Sequence, residues 1–129
     1  ALVIGVSAGI VCFNATPLIK RVWKIDDSLD VFPVHGVGGM LGTLLAGVFA
    51  STGLGLFSGQ GFADGINSIS EQVTVQAIGV VATAAFTAVA TLILLKVVDI
   101  ALGGLRVSPE QESQGLDISE HEERGYVNL

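Results

Sequence analysis

Charged side chains are scarce in this sequence. Asp, Glu, Lys and Arg make up 14% of its 129 residues, against about a quarter in a soluble domain. A water-exposed fold of this size would be short of polar surface. Basic residues are scarcer still, and the only cluster is Lys20, Arg21 and Lys24. Without a basic patch, nucleic-acid binding has no support. The single cysteine, Cys12, excludes an internal disulfide and a cysteine-based zinc site; it reads as a small buried hydrophobe. No nucleophile–base set, metal-ligand cluster or phosphate loop stands out, so an enzyme reading is weak and no cofactor or metal is called for. Gly36-x-Gly38 follows a histidine inside an apolar run and is not a nucleotide fingerprint. The chain opens at Ala1 within an apolar run, with no basic stretch before it and no cleavage motif after it. That argues against a signal peptide and for the C-terminal piece of something longer.

Apolar residues are abundant. They form half of the chain, with 17 glycines and a mean hydropathy of +0.70. They fall into three runs: Ala1 to Ile19, Val31 to Ala50, and Val73 to Leu95, the last extending towards Leu105 past Lys96 and Asp99. Each is long enough to cross a bilayer as a helix, which predicts an all-α membrane protein with spans at about 1–22, 28–51 and 72–103. Residues 1–105 then form the transmembrane portion and 106–129 a polar tail. Most of the net charge of −6 falls near the C-terminus: from Val107 to Leu129, Glu110, Glu112, Asp117, Glu120, Glu122 and Glu123 face only Arg124, a net of −5.

Orientation follows from the placement of the basic residues. The first connection holds Lys20, Arg21 and Lys24, the second (Ser51 to Gln72) holds no Lys or Arg, and Arg106 follows the third span. The positive-inside rule puts the first connection and the tail in the cytoplasm and the glycine-rich loop outside. Trp23 suits an interfacial anchor. Lys96 and Asp99, three apart, read as a snorkelling ion pair, and His121 as a solvated tail residue.

His35 lies within the second run, in Asp26-Asp27-Ser28-Leu29-Asp30-Val31-Phe32-Pro33-Val34-His35-Gly36-Val37-Gly38-Gly39. At about 1.5 Å per residue it sits roughly 13 Å from the polar edge at Asp26, near the midplane of a core about 30 Å thick. An ionisable group at that depth is a functional-site hypothesis by default; the alternative is a structural histidine in a packed helix. Gly38, Gly42, Ala46 and Ala50, with Gly39, Thr43 and Gly47 beside them, form small-residue rows that admit a neighbouring helix closely. Asp26, Asp27 and Asp30 stand where carboxylates cap free N–H groups and complement the helix dipole. Pro33 removes one donor and predicts a bend before His35.

The segment Asp26 through Gly39 resembles the late histidine span of the Amt/Mep/Rh family of ammonium transporters. The likeness continues through Gly47-Val48-Phe49-Ala50, Gly61-Phe62-Ala63-Asp64-Gly65, Lys96-Val97-Val98-Asp99 and Gly104-Leu105-Arg106-Val107. It extends to Glu110-Gln111-Glu112 and to Gly115-Leu116-Asp117-x-Ser119-x-His121. The resemblance implies the last three of eleven helices plus the cytoplasmic tail of a multi-pass protein of the plasma or inner membrane. It further implies a homotrimer in which each protomer encloses a narrow hydrophobic pore for ammonium and ammonia. In that family ammonium is recruited outside, loses its proton and crosses as ammonia, with a histidine pair as a proton route. His35 looks like the second of those histidines and Val31 like an apolar pore-lining residue on the cytoplasmic side. Asp27 and Asp30 match the acidic helix start. The tail resembles a segment that contacts neighbouring protomers and, in many prokaryotes, helps to dock PII signalling proteins. Pro33 departs from the family, where glycine is common; the first histidine and the outer recruitment site lie outside this chain. Beside transport stand an ammonium sensor signalling through the tail, and a non-conducting truncated remnant or unrelated small membrane subunit.

Overall fold

The structure, a computed structural model, describes residues 1–125. Among the described residues there is no strand. Helix α1 runs Leu2–Val22, α2 Phe32–Phe49 and α3 Ile69–Leu102, each long and apolar enough to cross a membrane. Two short helices, α4 (Pro109–Gln114) and α5 (Leu116–His121), follow in the tail. At most 11% of any of the three apolar windows is buried within the chain. Leu2, Phe13, Phe86, Leu92 and Ile100 are all bare, a surface that water would not tolerate and that hydrocarbon or further apolar helices would satisfy. The chain is an all-α membrane protein. It divides into two compact units, Ala1–Ala85 and Phe86–Leu129.

In the first unit, α1 is α-helical over Leu2–Pro17 and widens to π-helical turns over Leu18–Val22. Pro17 has no N–H and its ring crowds the carbonyl four residues back; a wider turn relieves both. Thr16 Oγ1 donates to the Cys12 carbonyl at 3.2 Å, a back-bond of the kind that bends helices. Lys24, at φ 55°, ends the helix in the left-handed conformation that commonly closes helices. Helix α2 starts π-helical over Phe32–Val37, around Pro33, and continues α-helical over Gly38–Phe49. It returns antiparallel to α1. Cys12 Sγ lies 3.9 Å from the Val34 carbonyl oxygen, and a Cβ on Gly38 would come within 2.9 Å of the same sulfur.

The loop after α2 folds back onto its end. Gly59 N–H donates to the Ser51 carbonyl and Gly61 N–H to that of Ala50, while the Phe49 and Phe57 rings lie 6.4 Å apart. Gly59 is required here, because a Cβ would collide with the Phe49 carbonyl and Ala50. Ser68 Oγ accepts from Glu71 N–H, and Glu71 Oε2 accepts from Asn67 N–H, so the start of α3 is held by a reciprocal cap. Gln72 is buried, and its Oε1 accepts from the Ala63 N–H at 3.1 Å, tying the loop to α3.

In the second unit, α3 stops at Gly103 and Gly104, both with positive φ. Gly104 N–H donates to the Asp99 carbonyl, the long bond of a Schellman ending that only glycine makes cheaply. Lys96 Nζ and Asp99 Oδ2 are 2.9 Å apart. The tail is folded: Ser108 and Gln111 form a capping box on α4. Gln111 Nε2 donates to Glu120 Oε1 at 2.6 Å, and Ser119 Oγ donates to the Gly115 carbonyl at 3.1 Å. Arg106 and Glu112 pair at 2.9 Å. The N–H of Glu110 itself and the Ser108 hydroxyl hold the Glu110 carboxyl below its ordinary pKa.

Candidate functional site

The acidic start of α2 separates into different duties. Asp27 accepts from the Val31 N–H through Oδ1 (2.9 Å) and from the Phe32 N–H through Oδ2 (2.7 Å). A helix leaves its first N–H groups without partners, and one carboxylate here satisfies two of them. These bonds, that of Phe32 first, hold the Asp27 carboxyl below its ordinary pKa, with the Lys20 charge adding in the same direction. Asp30 is used otherwise. Its backbone is left-handed at φ 55°, its carbonyl accepts from the Val34 N–H at 3.1 Å, and its Oδ1 lies 3.0 Å from Lys20 Nζ on α1. Asp26 also has an interaction within the chain.

The first N–H groups of α2 are thus shared between two aspartates: Val31 and Phe32 to the Asp27 side chain, Val34 to the Asp30 backbone. Pro33 has none to place. Lys20 in this role is not evident from the sequence, where it reads only as a topology signal. Its opposite charge at the far side of the same connection is the one available hint.

His35 stands one turn further on, within the π-helical segment, a geometry that frequently marks functional positions in helices. Val31 and His35 are both exposed, whereas Pro33 between them is fully buried where this segment packs on α1. A Cβ on Gly39, four residues beyond His35, or on Gly42 would meet nothing within 4 Å. Val31, His35 and Gly39 therefore form a bare row on α2, away from the surface that α1 covers. Among the described residues the His35 imidazole makes no hydrogen bond; its carbonyl accepts from the Gly38 N–H. The row offers an imidazole, which both donates and accepts a proton, flanked by apolar and small residues.

The sequence profile of the Ammonium Transporter Family matches residues 1–126. An ammonium transporter of Archaeoglobus fulgidus is 43% identical over 98% of this chain and 31% of its own length. A putative ammonium transporter of Methanothermobacter thermautotrophicus is 43% identical over 98% of this chain and 30% of its own. An ammonium transporter of Mycobacterium tuberculosis is 42% identical over 98% of this chain and 27% of its own. The chain spans less than a third of the length of these relatives. No solved structure matches it. With the profile running from Ala1, just before α1, through the folded tail, the chain belongs to the ammonium transporter family.

Proposed function

We propose that this chain supplies part of a pathway that carries ammonium across a cell membrane as ammonia, with His35 as a proton-handling group and Val31 as an apolar wall beside it. The observation that supports this reading is the bare Val31–His35–Gly39 row within an apolar span. A dry passage imposes a heavy desolvation cost on an intact cation. Ammonium escapes that cost by giving up its proton, and potassium cannot, so one step provides both passage and selectivity. A second histidine facing His35, on a helix these residues do not include, would complete the proton route. No covalent step is involved, so the protein acts as a transporter rather than an enzyme. Family likeness further suggests a homotrimer in the plasma or inner membrane, with the tail cytoplasmic and within reach of a PII-type partner.

The test is His35→Ala in the native full-length protein reconstituted in liposomes. Ammonium-evoked current is expected to fall about a hundredfold or more, the scale of a lost proton-transfer group. Unchanged current, ion selectivity and pH dependence would overturn the relay. The folded α4–α5 tail favours a second reading, a sensor that signals to a partner. Ammonium binding by the unsubstituted protein without methylammonium flux or current would establish that reading instead.

A further inference from the structure

We propose that Lys20 is a positioning residue for His35, acting through its ion pair with Asp30. The chain of contacts is short. Lys20 Nζ meets Asp30 Oδ1 at 3.0 Å, the Asp30 carbonyl accepts from Val34 N–H at 3.1 Å, and the next residue is His35. Pro33 contributes no N–H, so the bond from Val34 to Asp30 is the last one fastening the helix start before the histidine. Asp30 holds that carbonyl in place from a left-handed backbone, a conformation disfavoured for any residue but glycine and least so for Asn and Asp. A disfavoured turn persists where its surroundings over-determine it, and the ammonium of Lys20 is the charged group that grips this one.

Lys20 is itself well anchored. It lies in the π-helical end of α1, next to Ile19, which is 1% exposed. The ion pair therefore ties the end of one span to the start of the next, and it does so at the one residue whose carbonyl governs the height of Val34. On the other side of the same residue, the Val34 carbonyl faces Cys12 of α1. His35 thus emerges from a peptide held at both ends by α1. The consequence for transport rests on the function proposed above; the positioning itself does not.

Both are read in one set of proteoliposomes of the native full-length protein. Diethyl pyrocarbonate modification of His35, followed by mass spectrometry, reports the setting of the imidazole directly, with His121 of the tail as internal reference. Lys20→Gln and Asp30→Asn are each expected to change the His35 rate by about two- to fivefold, the range open to a partly exposed ion pair. Lys20→Arg is expected to restore it. A His35 rate that both single variants leave unchanged overturns the proposal. So does a change that Lys20→Arg does not restore. Ammonium current in the same vesicles should move with the modification rate. A wild-type protein that passes no current would count against the transport reading alone, because the modification series still decides the positioning role.

Discussion

Asp27 and Asp30 are the same residue type three positions apart, and the backbone gives them different work. The carboxylate of Asp27 spends both oxygens on helix N–H groups, which lowers its pKa. A group whose folded pKa is depressed stabilises the fold above its unfolded pKa, and that contribution is lost as pH falls through the folded value. Asp27→Asn keeps the shape and discards the charge. Its melting temperature in detergent should lie below wild type at neutral pH, and the two should converge as acid protonates Asp27 below its lowered pKa. A gap that persists unchanged into acid would mean that charge is not what Asp27 supplies. Lys96 and Asp99 were legible as a pair because a helix brings i and i+3 together whatever surrounds it, and they meet at 2.9 Å. The Lys20–Asp30 pair was not legible. It closes between residues ten apart, across the non-helical connection that follows Val22, with a left-handed residue at each end of the turn.

At the scale of elements, the glycine rows of α2 do more than one job. Gly38 admits Cys12 of α1, Gly47 admits Val73 and Gln76 of α3, and Gly39 and Gly42 remain uncovered. The four-residue repeat announces that something packs closely, but each partner depends on where the helix turns as it leaves its π-helical start. Gly47 gives a graded test. A Cβ there would lie 3.0 Å from Gln76 Cγ and 3.5 Å from Val73 Cα; the first neighbour is flexible and the second is backbone. Gly47→Ala should be nearly neutral, while Gly47→Leu should cost about 1–3 kcal/mol by overpacking. Chemical-denaturation midpoints in detergent would separate them, and equal midpoints would mean that α2 and α3 are not in close contact there. Helix ends were partly readable: the aspartates before α2 announced a cap, whereas the π-helical turns around the prolines have no signature beyond Pro itself.

For the whole molecule, the strongest sequence signals are hydropathy and charge asymmetry. The orientation they propose is open to cysteine labelling in a Cys12→Ala background. An impermeant maleimide added outside intact cells should label Leu56→Cys in the glycine-rich loop and spare Ser113→Cys in the tail until the membrane is opened. The reverse pattern would invert the topology.

Apolar length, the scarcity of basic residues and the depth of His35 along its span all add up residue by residue along the chain, so the sequence alone determined that this is a helical membrane protein with an ionisable group in an unlikely solvent. Which acid caps, which acid binds Lys20, which glycine is covered and which row of α2 stays bare were decided only by the tertiary structure. Those outcomes hang on the path of one connection, between Lys24 and Asp30, and on the face of Pro33 that α1 buries. Residues far apart in sequence meet there only because the backbone turns as it does, and no sum along the chain contains that turn.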